Sequence, residues 1–346
     1  MKKVLVGLSG GVDSAAAALL LKKEGYEVGG VSVLMHGAPD PDAAKIAQAL
    51  DIPYYEFDLR EEFSAIVIQN LIDEYACGRT PNPCVLCNPN VKFKGLIAAA
   101  DAYGYEFIAT GHYASVVQFE TGRLSLRRAA FDAKDQTYAL YRLPQEVLAR
   151  TLMPVGAYEK SVIRELAAPL SAGLSAKPES QEICFLPDNA LGDFLASAIH
   201  RNASDSVSGH FVDREGHILG EHRGIFHYTI GQRKGLDLAM GHPVYVTDIR
   251  PETNEVVIGE NEDLFSRTVS AEQAVFMGIP DFSDPLRAFA KIRYAHKPAP
   301  CLVTRTSETG FSVLFDEPQR AATKGQSLVV YQDDIVLLGG IISGAC

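Results

Sequence analysis

The stretch that decides the fold is Val4-Leu5-Val6-Gly7-Leu8-Ser9-Gly10-Gly11-Val12-Asp13-Ser14, followed by four alanines. The apolar run from Val4 is typical of a buried strand, and the alanines favour a helix. Glycines between them let a phosphate approach the backbone closely, and the N–H groups and dipole at a helix N-terminus stabilise its charge. The stretch therefore predicts a strand, a phosphate-binding loop and a helix. A glycine-rich turn capped by Ser or Asp, with no ligand, is the alternative.

Outward from this loop, short apolar runs alternate with helical stretches as far as about Ala114. Further strands are predicted at 28–34, 52–57 and 107–110, and helices at 14–24, 41–50, 63–75 and 93–103. Alternating strands and helices predict an α/β domain with a parallel sheet covered on both faces. The segment from Pro144 to about Ile199 is mostly helical by its periodicity and extends this domain.

After Asn202-Ala203-Ser204-Asp205-Ser206 the pattern changes to short alternating strands separated by Gly, Asp and Asn turns. A second seam near Ile279 to Pro285 divides this part again, which favours two small β-barrels. The predicted domains are a catalytic domain with a helical extension at 1–203, a central β-rich domain at 204–274 and a C-terminal β-barrel at 275–346.

Composition limits the function classes. With 47% apolar and 22% charged residues the chain is typical of folded globular proteins, and a net charge of −11 argues against coating nucleic acid through bulk charge. The N-terminus resembles no signal peptide, and no apolar stretch approaches the roughly 18 residues of a membrane helix. A cytoplasmic protein without a membrane partner is expected. Six cysteines are too few for a disulfide scaffold, so closely spaced ones are expected to be catalytic or metal-binding.

The loop lacks the Gly-Lys-Ser/Thr ending of a Walker motif, so transfer of an outer phosphate is not expected. It resembles the PP-loop of the ATP pyrophosphatases, which have an adenine nucleotide alpha hydrolase-like fold and cleave ATP between the α and β phosphates, leaving AMP on a substrate oxygen. The resemblance implies ATP and Mg²⁺ as cofactors, with Asp13 close to the metal. It implies nucleotide contacts at Gly7, Leu8, Ser9, Gly10, Gly11, Val12, Asp13, Ser14, Val33 and Gly111.

Two further motifs each carry thiols. The first is Gly78-Arg79-Thr80-Pro81-Asn82-Pro83-Cys84-Val85-Leu86-Cys87-Asn88, and the second runs from Ser175 to Pro187 with Cys184 inside it. Together with Tyr228-Thr229-Ile230-Gly231-Gln232-Arg233-Lys234-Gly235-Leu236 they resemble the tRNA-specific 2-thiouridylases over nearly the whole chain. The implied reaction is ATP-dependent 2-thiolation of the wobble uridine.

The resemblance implies separate roles for two thiols. Cys184 would receive sulfur from a donor, such as a cysteine desulfurase or a sulfur-relay protein, and carry it as a persulfide. Cys87 would be the nucleophile that attacks this persulfide to release sulfide, or closes a disulfide after transfer. A persulfide ionises easily and is a stronger nucleophile at neutral pH than a thiol.

Cys84 departs from the family, which commonly has Asp after Pro-Asn-Pro as a suggested acid or base. A thiol with a pKa near 8.5 is a poor substitute for a carboxylate, so that role stays open. The Cys84-x-x-Cys87 pair also permits a metal site, with Cys184 as a third ligand to zinc or an iron–sulfur cluster. No second Cys-x-x-Cys pair supplies a fourth zinc ligand. Cys77, Cys301 and Cys346 are interpreted as small buried or surface residues.

The resemblance also implies tRNA contacts, in the anticodon loop and beside a flipped target base. They are Asn82, Pro83, Cys84, His112, Lys134, Asp135, Gln136, Arg293, Tyr294 and Gln326. Without the resemblance, His112 would be interpreted as a hydrogen-bonded structural residue and the charged ones as a solvated surface.

Two rival functions share the first motif. One is a PP-loop ligase of the amide or lysine type, in which nitrogen is the nucleophile and the cysteines have no role. The other is an iron–sulfur or RNA-binding protein that kept the fold without the chemistry.

Overall fold

A computed structural model of the chain describes residues 1–170, 183–187, 190–200 and 208–346. Cys184 is among them. The preceding part of its motif, 175–182, lies outside the described residues, as does the predicted domain seam at 202–206.

The N-terminal sheet is parallel throughout, as the alternation of strands and helices predicted. Within the described residues its order is β3-β2-β1-β4-β7. The bounds are β1 Lys3–Gly7, β2 Glu27–Leu34, β3 Tyr54–Asp58, β4 Phe107–Ala109 and β7 Thr151–Leu152. The chain leaves β1 toward β2 on one side, while β4 lies on the other. The carboxyl ends of β1 and β4 therefore border the crevice in which open α/β sheets bind ligands.

Helices cover both faces of this sheet. Their bounds are α1 Val12–Lys23, α2 Pro41–Leu50, α3 Arg60–Phe63, α4 Gln69–Ala76, α5 Pro83–Cys87, α6 Phe93–Tyr103, α7 Thr137–Leu140, α8 Gln145–Leu148, α9 Lys160–Ala167 and α10 Leu191–His200. Val4 and Val6 pack with α1 and α2 on one face, and Leu5 packs with α6 on the other, as the period of two in a strand requires. None of the described helices has the length and apolar character needed to cross a bilayer.

A hairpin links the first domain to the last. Its strands are β5 Ala114–Gln118 and β6 Leu124–Arg128, and β6 pairs with β17, Ile335–Ala345, at the far end of the chain. Ser125 Oγ also donates a hydrogen bond to the Val336 carbonyl. The loop after β4 is thereby held between the parallel sheet and the C-terminal domain.

The central domain has one four-stranded sheet in its described part, in the order β10-β11-β8-β9. The bounds are β8 Gly209–Val212, β9 Ile218–His222, β10 Tyr245–Arg250 and β11 Glu255–Gly259. Its core contains Phe211, Val246 and Val256 together with Tyr228 and Leu236 of the stretch singled out in the sequence. That stretch therefore stabilises the domain from within.

The C-terminal domain is a closed barrel. Among the described residues the strands follow one another as β12-β15-β14-β13-β16-β17, and β17 pairs back with β12. The bounds are β12 Phe265–Phe276, β13 Leu286–Lys291, β14 Ala299–Arg305, β15 Phe311–Arg320 and β16 Ser327–Gln332. Strand β12 spans position 274, at which the sequence placed the second domain boundary. Cys301 lies in the barrel core with Val303 and Phe315.

Candidate active site

The phosphate loop has the geometry that its sequence predicted. Gly10 has a φ of +71° and Gly11 is the N-cap of α1. The Ser14 hydroxyl accepts from the Ser9 N–H at 3.2 Å and donates to the Gly11 carbonyl at 3.1 Å, which closes the loop. A side chain on Gly10 would meet the carboxylate of Asp40, its Cβ only 2.5 Å from Cγ. The first N–H groups of α1 have no partner within the helix and can bind an anion.

Two contacts at the Asp13 end of this loop were not anticipated. The Asp13 carboxylate accepts hydrogen bonds from the Tyr113 hydroxyl at 2.8 Å and from the Lys160 ammonium at 2.6 and 2.7 Å. Lys160 is the first residue of α9, which packs on α1. The sequence predicted that helix but gave no signal that its first lysine reaches the phosphate loop.

The residues expected to contact nucleotide differ in placement. A Cβ on Gly111 would lie 2.6 Å from the Asp13 carbonyl carbon and 2.7 Å from the Ser14 nitrogen, so only glycine fits against the first turn of α1. Val33 lies near the carboxyl end of β2, next to Phe57 of β3. Leu8 is 2% exposed, its N–H donates to the Val31 carbonyl and its carbonyl accepts from Ser32 Oγ, so its contact with nucleotide stays a prediction.

Cys84 and Cys87 lie on α5, a short helix with its own cap. Asn82 Oδ1 accepts from the Cys84 N–H at 3.1 Å, and Pro83 occupies the first helical position, where its missing N–H is not needed. Cys84 is exposed. Cys87 is 6% exposed, and its Sγ lies 3.6 Å from Sδ of Met35, the residue after β2.

Cys184 lies beside the same apolar cluster. The ring of Phe185 packs edge-on against Phe63 at 5.3 Å, in the cluster that contains Cys87 and Val91. Both thiols are free. Two cysteines about a hundred residues apart are thus brought into one neighbourhood, as their proposed partnership requires.

Lys92 is the cation of this neighbourhood, and sequence reasoning missed it. It ends a π-helical turn, Asn88–Lys92, that follows Cys87 directly. Burial raises the pKa of Cys87 to about 11, and Lys92 acts in the opposite direction. Cys184 is exposed, but desolvation by neighbouring protein atoms raises its pKa as well. The charge of Lys92 again acts in the opposite direction and lowers the pKa.

His112 connects the two halves of the site. It follows Gly111, its Nδ1 lies 2.9 Å from Thr110 Oγ1, and its ring stacks on Phe93 at 5.6 Å. Burial, assisted by the charge of Lys92, lowers the pKa of His112 well below its usual value, so the imidazole is neutral at pH 7. His112 therefore lies between Gly111, which packs on the first turn of α1, and Phe93, the first residue of the helix that follows the thiol segment.

Comparison with known proteins identifies the family. Residues 2–188 match the model described as tRNA methyl transferase HUP domain, 193–260 the tRNA methyl transferase PRC-barrel domain, and 266–342 the aminomethyltransferase beta-barrel domain. The tRNA-specific 2-thiouridylase MnmA of Lachnoclostridium phytofermentans is 47% identical over 99% of this chain and 99% of its own. That of Clostridioides difficile is 46% identical over 99% and 98%. The chain belongs to the tRNA-specific 2-thiouridylase family.

Solved structures give only a distant likeness to this thiouridylase family member. A 4-thiouridine synthetase–RNA complex with bound ATP aligns with a TM-score of 0.35 and 17% identity, over 57% of this chain and 50% of that one. A likeness at this level supports no argument about the site.

Some of the residues expected to contact tRNA form hydrogen bonds within this thiouridylase. Asp135 is 4% exposed and accepts from the Thr137 N–H and hydroxyl, and Gln136 Oε1 accepts from the Tyr113 N–H at 2.8 Å. Lys134 is half-buried. These three residues shape the loop behind the nucleotide site, and their contacts with tRNA stay predictions.

Arg293 and Gln326 join domains. The Arg293 guanidinium donates to the carbonyls of Ala321 and Ile230, the latter in the central domain. Gln326 Nε2 donates to the Thr80 carbonyl at 2.8 Å, just before α5. Tyr294, in contrast, is 45% exposed beside Tyr138, which leaves its ring accessible for base stacking.

The metal alternative gains no support from the cysteines in this conformation. Among the described residues, the group of three possible ligands close enough to share one ion is Asp213, Glu215 and His217, in an exposed hairpin turn. His217 Nδ1 and Asp213 Oδ2 already pair at 2.8 Å. Cys84, Cys87 and Cys184 do not form such a group.

Proposed function

We propose that this thiouridylase replaces O2 of the tRNA wobble uridine with sulfur in two steps at the carboxyl edge of the parallel sheet. ATP-dependent thiolation of tRNA uridine is the activity of its family. The observation that supports this assignment of residues is the convergence of three segments: the loop after β1, the Gly111–His112 turn after β4, and Cys87, which lies beside Met35 after β2 with Cys184 next to the same apolar cluster.

The first step is adenylation of the carbonyl. The uridine O2 attacks the α-phosphorus of ATP, the bond to the bridging oxygen breaks, and pyrophosphate leaves. The N–H groups at the start of α1 stabilise the negative charge on the phosphates. Asp13 is the carboxylate of the loop that would hold Mg²⁺, at the oxygens that bond to the Lys160 ammonium in this structure, and the metal would neutralise the leaving pyrophosphate.

The second step moves sulfur. The terminal sulfur of a Cys184 persulfide attacks C2, and the C–O bond breaks as AMP leaves. The Cys87 thiolate then attacks the inner sulfur on Cys184, the S–S bond to the substrate breaks, and the new C=S keeps the transferred sulfur. The product is a Cys87–Cys184 disulfide, so each turnover requires a two-electron thiol reductant and a donor of sulfane sulfur such as a cysteine desulfurase or relay protein.

Burial of Cys87 fits this order of events. A thiol with a pKa of about 11 is almost entirely protonated at pH 7, so it reacts slowly with electrophiles other than a disulfide held next to it. It becomes a competent nucleophile once Cys184 carries its sulfur within reach and Lys92 stabilises the thiolate.

Replacement of Cys184 tests the division of labour. We expect Cys184→Ser to abolish 2-thiouridine in tRNA, measured by mass spectrometry of nucleosides, while AMP and pyrophosphate still form with ATP and unmodified tRNA. Cys77→Ser is the matched control, because Cys77 is also exposed but lies at the end of α4. Full thiouridine from the Cys184 variant would reject the mechanism, and loss of AMP formation in it would assign Cys184 to the first step instead.

A further inference from the structure

The backbone of Thr80 is held by the C-terminal barrel. Its N–H donates to the Lys324 carbonyl at 2.9 Å, and its carbonyl accepts from Gln326 Nε2 at 2.8 Å. We call these three residues the Thr80 clamp. Gln326 is 246 positions from Thr80 in the chain, and the two hydrogen bonds hold the backbone of Thr80 at both its N–H and its carbonyl.

The barrel side of the clamp is itself rigid. Gly325 N–H donates to the Ile342 carbonyl at 3.0 Å, and the Ile342 N–H returns a bond to the Gln326 carbonyl at 2.7 Å. Gly325 has a φ of +91°, and a Cβ there would lie 3.0 Å from the Thr80 nitrogen. The turn is thus anchored to β17 and lies directly against the segment it holds.

The other sides of the same segment contact the remaining domains. Arg79 pairs with Glu74 of α4 at 2.6 Å. Gly78 faces the central domain, where a Cβ on it would meet Ile249 at 2.9 Å, and Thr80 Oγ1 lies 3.5 Å from Thr229 Oγ1. All three domains therefore meet at residues 78–80.

The thiol helix begins at once after this junction. Asn82 caps α5, and both thiols of that helix lie within its five residues. A short helix is too brief to be stable by itself, so the ends of the segment determine where its side chains lie. The C-terminal end is set by packing of Cys87 and Val91, and the N-terminal end by Thr80.

We infer that Gln326 is a positioning residue for the thiols. Its hydrogen bond to Thr80 fixes where α5 begins, and thereby the positions of Cys84 and Cys87 relative to Cys184. This inference rests on the proposed function only where turnover is concerned. It assigns the C-terminal barrel a part in the chemistry that is separate from contact with tRNA.

The test uses the whole chain without tRNA or ATP. In Gln326→Glu, which keeps the shape but removes the donor, we expect the amides of Thr80, Cys84 and Val85 to exchange hydrogen about five-fold faster, the factor expected for loss of one ordinary hydrogen bond. Alkylation of Cys84 should accelerate to a similar extent. Gln332→Glu is the matched control, because Gln332 is exposed at the far end of β16, the strand that begins directly after Gln326.

Turnover then separates the two roles of Gln326. We expect kcat for thiolation to fall at least ten-fold in Gln326→Glu with the KM for ATP unchanged. Gly325→Ala, which forces the turn away from Thr80, should reproduce the faster exchange at 80–85 without altering Gln326 itself. Unchanged exchange and alkylation in both variants would overturn the inference, and a rise only in the KM for tRNA would reduce Gln326 to a tRNA contact. Because exchange and alkylation require no activity, their outcome is independent of the proposed function.

Discussion

The ammonium of Lys160 lies 2.6 and 2.7 Å from the two carboxylate oxygens of Asp13, although 147 positions separate the residues. In a Walker loop the lysine belongs to the loop itself. Here the cation is Lys160, in the first turn of α9, and 16% of its side chain is exposed. The Tyr113 hydroxyl donates a hydrogen bond to the same Asp13 carboxylate. A lysine therefore does lie against the phosphate loop, but it comes from a distant helix and the loop motif does not show it.

Loss of this lysine should weaken nucleotide binding. In Lys160→Met the Asp13 carboxylate would face the phosphates without its cation, and a charge-assisted hydrogen bond contributes about 1.5–3 kcal/mol, so we expect ATP affinity to fall about 10- to 100-fold. Isothermal titration with ATP measures this without turnover. Lys45→Met is the control, since Lys45 forms an exposed pair with Asp42 on α2. Unchanged affinity for ATP would show that the pair only stabilises the fold.

Lys92 should tune both thiols. Its charge lowers the pKa of Cys87 and of Cys184, so Lys92→Met should raise both pKa values and reduce the thiolate fraction at pH 8. The measurement is the rate of iodoacetamide labelling of each cysteine against pH, read by mass spectrometry, and labelling at pH 8 should slow several-fold. Lys92→Arg should restore it. Lys94→Met, two positions on and exposed, should leave the profile unchanged, and equal effects of both methionine variants would contradict a local role for Lys92.

Local patterns predicted the parts of the fold that local physics determines. The strand, glycine loop and alanine-rich helix from Val4 onward follow from side-chain period and backbone freedom, and the parallel sheet follows from their repetition. The closed C-terminal barrel was likewise expected from its short alternating strands. Pairing between distant segments has no such signal. Nothing in Leu124–Arg128 indicates that this strand joins a barrel two hundred residues later.

The candidate site shows the same division. The residues with unusual chemistry, such as the thiols and the glycines, were found from the sequence because their types are informative by themselves. Lys92 and Lys160 were missed because a lysine is common on any surface, and only its neighbours give it a role. The contact of Arg293 with tRNA stays a prediction, and nothing in the sequence indicated that its guanidinium also bonds to Ala321 and Ile230 between domains. The sequence of a loop does not show whether a charged side chain in it points to solvent or to a neighbouring domain.

Gly111 should tolerate no side chain. In Gly111→Ala the new Cβ would lie 2.6 Å from the Asp13 carbonyl carbon, which is backbone and cannot rotate away. We expect overpacking to lower the free energy of unfolding by about 1–3 kcal/mol and ATP binding to be lost, because the first turn of α1 must shift. Denaturant titration and ATP titration measure the two effects. Gly344→Ala, where nothing lies within 4 Å, should be neutral in both.

Protonation of His112 should destabilise the fold in mild acid. Burial lowers its pKa in the folded state, so between that value and the ordinary pKa near 6.5 the unfolded chain binds the extra proton. Stability contributed by the neutral ring is therefore present above pH 6.5 and is lost as pH falls, with a slope approaching about 1.4 kcal/mol per pH unit for one proton. Desolvation also lowers the pKa values of His222 and His227, which act in the same direction, so the comparison must be between wild type and His112→Gln. Urea titrations at pH 7.5 and 5.5 should show a smaller loss of stability on acidification in the variant. An equal loss in both proteins would mean that His112 has the same pKa in the folded and unfolded chains and contributes nothing to the sensitivity to acid.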